Sequence, residues 1–370
     1  EAAGTAGTAE MEEATAGGSE GGRAPVTGAG LAAQSASAAA VQPGSDGYRS
    51  DGYRSDGYTV TLWRKLAARH ARGRRHALKY SRGLALHPDL FDLSRGFRPE
   101  WLAPAVLKAM EAWQGGAAAA ADVREAAVRN LVTEVSPGVF TFDLLSASFC
   151  ELLISELERY EASGMPPMRP NSMNNYGIVL NGPIGLERLM DLLQSSVVAP
   201  IGEALFGEEG QGLDHHHAFV VQYRPAQDKG LDMHTDACDV TLNVCLGKEF
   251  TGGGLTLCGL RGGGEVGGGE RKLRLVHSHR KGQAILHLGR HRHGADDILT
   301  GERLNLILWN KSSRHRLSRG FLSKYKTRPP AAGTDSSPDL VCLSYTHDDD
   351  FEDYKPYPLG WKPVAAQAGG

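Results

Sequence analysis

The segment MHTDACDVTLNVCLG, residues 233–247, places a histidine and an aspartate two positions apart, as His234 and Asp236. In a β-strand, side chains at positions i and i+2 project from the same face, about 6–7 Å apart along it. An imidazole and a carboxylate on one face can share a single metal ion. We therefore expect both residues on one strand face, as two ligands of a site whose third ligand comes from elsewhere in the chain.

A second imidazole would complete a 2-His-1-carboxylate triad. Such a triad leaves coordination positions open and suits non-haem Fe(II). The candidates for the third ligand lie in the segment 277–309, which is rich in histidine. They are His277, His279, His287, His291 and His293.

An arginine in the last apolar segment helps to select among these histidines. An Fe(II) oxygenase that chelates a 2-oxo acid needs a cation for the distal carboxylate, and arginine supplies one through a planar, bidentate fork. Arg303 opens the segment RLNLILWN, where an unpaired charge would be costly, and it follows His293 by ten residues. We therefore favour His293 as the third ligand, and His287 and His291 stay open as alternatives.

The set His234-x-Asp236, His293 and Arg303 resembles the motif of the 2-oxoglutarate- and Fe(II)-dependent dioxygenases. Within them it is closest to the prolyl 4-hydroxylase-like group, which includes the procollagen prolyl and lysyl hydroxylases. The segments SPGVFTFDLLSASFCELLISELE and TGGGLTLCG are also similar to that group, so the resemblance covers about residues 136–312. It implies an α+β fold with a double-stranded β-helix (jelly-roll) core, braced by helices and holding iron at one open end.

The same resemblance implies a role for each residue of the motif. His234, Asp236 and His293 would bind the iron, and Arg303 would pair with the 5-carboxylate of 2-oxoglutarate. The procollagen enzymes often carry lysine at the position of Arg303, which leaves the substrate of this chain open. Three further side chains are candidates for contact with the cosubstrate, each with a purely structural role as the alternative: Tyr223, Asn243 and Asn305.

The activity implied by the resemblance is hydroxylation of an unactivated C–H bond. The reaction would consume O₂ and 2-oxoglutarate and release succinate and CO₂, with L-ascorbate as the usual reductant that keeps the iron active. The favoured substrate is a residue of a protein or peptide, of the prolyl or lysyl type. Two alternatives stay open: the same chemistry on a small molecule or nucleic-acid base, and a catalytically silent barrel that acts as a binding module.

Changes of composition divide the chain into four parts. Residues 1–57 have almost no large apolar side chains and cannot offset the entropy of ordering, which predicts a disordered low-complexity tail. Residues 58–135 carry helical patterns and begin with a basic segment. The dioxygenase domain is predicted at 136–312, and an acidic, aromatic C-terminal extension at 313–370.

Within the predicted domain, helices precede strands. Ser146 is placed to cap a helix, and a second helix is predicted near Gly185–Phe206, with a break at Pro200. We expect the loop 166–177 between them to lie near the barrel mouth, where it could gate substrate. Five short aliphatic or β-branched segments predict strands: 218–223, 239–246, 254–259, 282–289 and 303–310.

The net charge, the cysteine count and the length of the apolar runs restrict the class of partner and the cellular compartment. A formal net charge of −3 argues against a globally basic nucleic-acid binder. The chain has 5 cysteines and no CxxC pair, which is typical of free thiols in a reducing compartment, cytoplasm or nucleus. No apolar run approaches the ~20 residues that span a bilayer, and a targeting signal removed upstream of Glu1 would leave no trace.

Other polar residues near the motif are interpreted as structural. In the run His215–His217, strand alternation places only His215 and His217 on one face, which disfavours a second metal site. Asp239 is either a hydrogen-bond partner that orients a metal-binding histidine or an exposed residue at a strand end.

Overall fold

The structure is a computed structural model in which helices cover one side of a pair of antiparallel sheets. The predicted N-terminal tail (1–57), the beginning of the predicted helical region (58–71) and residues 322–370 of the predicted C-terminal extension lie outside the residues that it describes. The described residues are 72–115, 121–166, 168–171, 173–260 and 275–321.

The first part of the described chain is helical. Ser146 caps the fourth helix as predicted, because its Oγ accepts a hydrogen bond from the backbone N–H of Phe149 at 3.3 Å. Two 3₁₀ turns, Pro88–Leu90 and Pro99–Trp101, separate the first two helices. The four helices are α1 (72–83), α2 (Pro104–Gln114), α3 (Ala121–Leu131) and α4 (Ala147–Ala162).

A buried carboxylate ties α1 and the segment after it to α4. Glu156 of α4 is fully buried, and its Oε1 accepts a hydrogen bond from the Tyr80 hydroxyl at 2.6 Å. Its Oε2 accepts the backbone N–H of His87 at 2.6 Å, and Oε1 also accepts that of Leu86 at 3.3 Å. A buried carboxylate of this kind requires such donors, because burial without them would be very costly.

The second helical region differs from its prediction in the position of its irregularity. No break occurs at Pro200, which lies in the first turn of a helix, where its missing N–H matters little. The regular α-helical pattern instead changes earlier, in a π-helical turn at Gln194–Val198. The helices of this region are α5 (Glu187–Leu193), α6 (Ala199–Leu205) and α7 (Gly207–Gly210).

The strands form a large sheet, a smaller sheet and a two-stranded ribbon, and every pair among the described strands is antiparallel. The strands of the seven-stranded sheet, in spatial order, are β1 (Thr133–Ser136), β2 (Val139–Asp143), β10 (Gln283–Leu288), β6 (Val240–Gly247), β13 (Arg303–Ser312), β4 (Leu213–Tyr223) and β3 (Gly177–Val179). Those of the four-stranded sheet are β5 (Leu231–His234), β11 (His291–Ala295), β8 (Leu255–Leu260) and β9 (Leu275–His277). The ribbon pairs β12 (Ile298–Gly301) with β7 (Phe250–Gly252), and a short helix α8 (Ser313–Arg316) follows β13.

Alternation along β13 explains how the large sheet separates core from cavity. Leu304, Leu306 and Leu308 belong to the main hydrophobic core, together with side chains of α4. The intervening residues Arg303 and Asn305 line a cavity on the opposite face, beside residues of the smaller sheet. Because side chains alternate between the two faces of a strand, β13 has an apolar face toward the helices and a face with polar side chains toward the cavity.

Two further findings bear on the class of protein. The cysteines among the described residues, Cys150, Cys238, Cys245 and Cys258, are all buried and form no disulfide. A helix with the length and apolar content to cross a membrane is absent from the described residues.

Candidate metal centre and cosubstrate pocket

The two histidines of the predicted triad face each other across neighbouring strands. His234 ends β5, and His293 lies on β11, where the two residues are direct register partners. Their ring centroids are 4.4 Å apart. Antiparallel pairing thus brings together two imidazoles that are far apart in the sequence.

Asp236 does not lie on the same strand as His234, contrary to the prediction. β5 ends at His234, and the chain then crosses from the smaller sheet to β6 of the large sheet. Asp236 lies in this crossing segment, where its backbone N–H donates to the carbonyl of Gly289 at 2.8 Å. The two side chains converge because the backbone turns between them and not because of strand alternation.

His234, Asp236 and His293 form a compact cluster of buried metal-binding groups. One nitrogen or oxygen atom from each lies within 4.8 Å of the others. Nε2 of His234 is 3.6 Å from Oδ1 of Asp236, and Nε2 of His293 is 3.4 Å from Oδ2. No other group of this kind occurs in the part of the chain that the structure describes.

Hydrogen bonds at the opposite ring nitrogens orient both imidazoles. Nδ1 of His234 donates to the carbonyl of Asp232 at 2.7 Å, and Nδ1 of His293 donates to the carbonyl of His291 at 2.8 Å. These bonds leave the Nε2 lone pairs directed at the cluster, which is the arrangement that metal-binding histidines need. Two neutral imidazoles and one carboxylate fit a divalent transition metal, Fe(II) included.

The protonation states agree with this fit. Burial alone would raise the pKa of Asp236, but the nearby His293 and His234 side chains outweigh it and hold the pKa below its usual range. Burial lowers the pKa of His293 more than Asp236 raises it. The cluster therefore presents an ionised carboxylate and a neutral His293 at neutral pH.

The alternative third ligands lie outside the cluster. The imidazole of His291 accepts the backbone N–H of Gly259 at Nε2, at 3.2 Å. The His287 ring lies 4.7 Å from the His293 ring but is turned so that its Nδ1 donates to the carbonyl of Leu288. Burial lowers the pKa of His287 to about 3, so it stays neutral beside the cluster.

Arg303 lies in the same cavity as the cluster and is 1% exposed. Its guanidinium stacks 4.5 Å above the ring of Tyr223, its partner across the β4–β13 pair. It donates to the carbonyl of Gly253, but its Nε has no partner and no carboxylate of the described residues lies within ion-pair distance. A buried cation without a counter-anion is costly, so this end of the cavity is suited to an anionic ligand.

The three weaker candidates of the sequence also lie in this cavity. The Tyr223 hydroxyl accepts from Asn174 at 3.2 Å, and burial raises its pKa, so it remains a neutral phenol. Asn305 donates to Oδ1 of Asn243 at 2.6 Å, while its own Oδ1 has no partner. Nδ2 of Asn305 also lies 3.4 Å from Nδ1 of His279, which the sequence offered as a candidate third ligand and which lies outside the cluster.

The predicted loop 166–177 reaches the cavity. Asn171, Met173 and Asn174 contribute to its lining. Asn171 accepts the backbone N–H groups of Met173 and Asn174 at 2.8 and 2.7 Å, which gives the loop a fixed local turn.

The remaining polar predictions have structural partners. Asp239 is buried and not exposed. Its carboxylate accepts hydrogen bonds from the backbone N–H of Ser312 at 2.8 Å and from Nε of Arg316 at 2.9 Å, and not from a histidine of the cluster. His216 pairs with Asp191 at 2.8 Å, and Nε2 of His217 bonds a backbone carbonyl.

Comparison with known proteins decides the family. A Danio rerio protein named 2-oxoglutarate and iron-dependent oxygenase domain-containing protein 2 is 37% identical over 261 residues, which cover 68% of this chain and 72% of that protein. The chain belongs to the family of 2-oxoglutarate and iron-dependent oxygenase domain-containing proteins. An OGFOD2-like domain matches residues 80–211, which include α4 to α7. The resemblance to 2-oxoglutarate- and iron-dependent oxygenases is thereby confirmed.

Other comparisons cover smaller parts of this chain. The Arabidopsis thaliana 2-oxoglutarate and iron-dependent oxygenase domain-containing protein CP2 is 42% identical over 198 residues, 52% of this chain and 50% of that protein. The chain spans about half the length of the first curated relatives that it matches. A prolyl-4-hydroxylase structure from Pseudomonas putida covers 51% of this chain and 93% of its own, at 19% identity and a TM-score of 0.34.

Proposed function

We propose that this chain is an Fe(II)- and 2-oxoglutarate-dependent dioxygenase that hydroxylates an unactivated C–H bond, with a residue of a protein or peptide as substrate. The observation that carries the proposal is the convergence of His234, Asp236 and His293 in one buried cavity with Arg303, a buried cation that has no carboxylate of the described residues within ion-pair distance. Family membership supports the same chemistry.

In this proposal His234, Asp236 and His293 hold the iron. Bound Fe(II) would activate O₂, the oxidant of the reaction: one oxygen atom would go to the substrate C–H bond, and the other to 2-oxoglutarate, which would leave as succinate and CO₂. L-ascorbate is the reductant that we expect to keep the iron in the ferrous state. The carbonyl bonds at Nδ1 keep both imidazoles in the tautomer that can bind metal. The burial of all three side chains excludes bulk water from the centre.

Arg303 is proposed to bind the distal carboxylate of 2-oxoglutarate. Its planar guanidinium offers a fork of N–H donors, and the stacked Tyr223 ring limits the directions in which it can rotate. The Tyr223 hydroxyl is within reach of the same end of the cavity, and the Asn243–Asn305 pair forms the adjoining polar wall. A monocarboxylic 2-oxo acid would leave the guanidinium unpaired, which gives a physical reason for selecting a dicarboxylic acid.

The opposite end of the β4–β13 pair is suited to the substrate. His217 and Trp309 are register partners there, and Phe219 packs edge-to-face on Trp309 with centroids 5.0 Å apart. Nε1 of Trp309 has no acceptor among the described residues. An aromatic wall with one free N–H donor favours an aliphatic ring or chain next to a carbonyl, which a peptide provides.

The arrangement of sheets supports a double-stranded β-helix as the finer description of this fold. The large and small antiparallel sheets both contribute residues to one cavity between them. The metal-binding side chains would then lie at one end of the barrel, and the helices α1 to α6 would brace the outer face of the large sheet.

A peptide-library assay tests the proposed substrate class. The full chain, supplied with Fe(II), ascorbate and 2-oxoglutarate, is expected to add one oxygen atom to a subset of peptides, as measured by mass spectrometry. The Asp236→Ala variant serves as the matched control and should add none. If no peptide gains oxygen while a panel of small molecules or nucleosides does, the peptide assignment is wrong and the first alternative applies.

A further inference from the structure

A buried hydroxyl beside the metal cluster has no role in the function proposed so far. Thr241 lies on β6, lines the same cavity and is 1% exposed. Its Oγ1 donates to Oδ2 of Asp236 at 2.6 Å and lies 3.1 Å from Sγ of Cys238. The three side chains form a line of hydrogen bonds that ends on one of the candidate metal ligands.

The chemistry of the groups fixes the direction of these bonds. An ionised carboxylate can only accept, so the single hydroxyl proton of Thr241 must point to Asp236. The lone pairs of Oγ1 are then available as acceptors, and the thiol of Cys238 is the donor within reach. A hydroxyl that donates on one side and accepts on the other is held in one orientation.

Asp236 needs such a constraint because no strand holds it. The bond from its backbone N–H to Gly289 fixes the main chain of the crossing segment but leaves the carboxylate free to rotate. Rotation would exchange the two oxygens or present both of them to a metal ion. Both oxygens lie near the cluster, Oδ1 at 3.6 Å from Nε2 of His234 and Oδ2 at 3.4 Å from Nε2 of His293. The Thr241 bond engages Oδ2 and thereby distinguishes the two oxygens.

We propose that Thr241 is a positioning residue that holds Asp236 as a one-oxygen ligand of the metal. With Oδ2 engaged, the carboxylate does not occupy a second coordination position, and that position stays available to cosubstrate and O₂. The inference rests on the proposed function, since it requires Asp236 to bind the metal. Thr241 acts through Asp236 and not on the substrate.

The test compares two substitutions in the full chain. Thr241→Val removes the hydroxyl but keeps the branched shape, and Thr241→Ser keeps the hydroxyl. Hydrogen-bond partners of metal ligands typically contribute 10- to 100-fold to metal affinity, so we expect Thr241→Val to raise the Co(II) dissociation constant by about that factor. The visible spectrum of the Co(II)-bound Thr241→Val variant, which reports the coordination number of the metal, should also change. Thr241→Ser should keep the wild-type spectrum and a Co(II) affinity within about threefold of the wild-type value.

Circular dichroism of the metal-free proteins measures whether each variant folds. Should Thr241→Val not fold, Thr241→Ala removes the same hydroxyl from a smaller side chain and carries the same expectation. A folded variant without the hydroxyl that keeps the wild-type affinity and spectrum would overturn the inference. A wild-type chain that fails to bind Co(II) would instead contradict the proposed function, so the two failures are distinguishable.

Discussion

At the residue scale, the cavity pairs a candidate metal-binding cluster with a separate, proposed site for an anion. The cluster is anchored by backbone carbonyls at the outer nitrogens of His234 and His293. The proposed anion site is built from Arg303, whose pKa is lowered by burial; arginine nevertheless keeps its charge in proteins. In the proposed function, chelation at one end of the cavity and ion pairing at the other would together restrict the size of the ligand.

The first prediction concerns Arg303. Replacing it with alanine should raise the KM and dissociation constant for 2-oxoglutarate about 10- to 100-fold, since hydrogen bonds to charged groups contribute about 1.5–3 kcal/mol. Arg303→Lys keeps the charge but loses the fork, and its KM should lie between those of the alanine variant and the wild type. Steady-state kinetics and calorimetric titration measure both constants. Equal constants for the wild-type and alanine proteins would refute the assignment of Arg303.

The identities of the site residues were predictable from the sequence because motif spacing restricts them strongly. The geometry of these candidate residues was less predictable. Asp236 lies beyond the end of β5, because alternation in the sequence carries no information about where a strand ends. Thr241 was missed although it alternates with Asn243 on β6 and so faces the same cavity. The contact of His279 with Asn305 was not predicted, because His279 lies in a loop, where periodicity gives no signal.

At the scale of elements, Glu156 connects three donors from α1 and the segment after it to α4. Burial, together with the hydrogen bond to Glu156, raises the pKa of Tyr80, so its hydroxyl remains a donor at any ordinary pH. The N-terminal helix is therefore held to the dioxygenase region by a polar contact as well as by packing against α4.

The second prediction tests this connection. Glu156→Ala should lower the free energy of unfolding by about 3 kcal/mol or more, because it leaves buried donors without an acceptor. Tyr80→Phe removes only one of the bonds and should be less destabilising. Glu151→Ala on the same helix is the control, since that side chain is 68% exposed and forms only a surface ion pair. Urea denaturation measures all three, and similar losses for Glu156→Ala and Glu151→Ala would contradict the role of Glu156.

Longer elements followed from the sequence, and shorter ones did not. The strands β4, β6, β8, β10 and β13 each overlap a predicted segment, because aliphatic and β-branched residues bounded by turn residues favour strands. The strands β7, β9 and β12 have three or four residues each, too few to establish a period. The π-helical turn before Pro200 is likewise invisible, since π-turns have no residue signature comparable to proline.

At the scale of the whole molecule, the cavity lies between the two sheets, and its ligands would connect them. His234 and His293 belong to the smaller sheet, whereas Arg303 and Thr241 belong to the large one. Asp236 lies in the segment that joins the two. Binding of metal and cosubstrate should therefore stabilise the packing of the sheets against each other, and not only the local side chains.

The third prediction follows from this arrangement. Mn(II) and 2-oxoglutarate at about 100 times their dissociation constants should each stabilise the fold by about 2.7 kcal/mol. For a domain of this size that corresponds to a rise in Tm of about 5–10 °C per ligand. Differential scanning fluorimetry measures the shift. His234→Ala should abolish the Mn(II) shift, while His215→Ala, an exposed histidine on β4, should retain it; an equal shift in both variants would contradict the assignment of His234.

The central claim is that two imidazoles and a carboxylate from three separate segments hold an Fe(II) ion at which O₂ would oxidise 2-oxoglutarate to succinate and CO₂. The most direct measurement is succinate formation by the full chain in air with Fe(II), ascorbate and 2-oxoglutarate, compared with the His293→Ala variant. We predict succinate from the wild-type chain and only the background of the buffer from the variant. An equal yield from both proteins, or none above background from the wild type, would contradict the account.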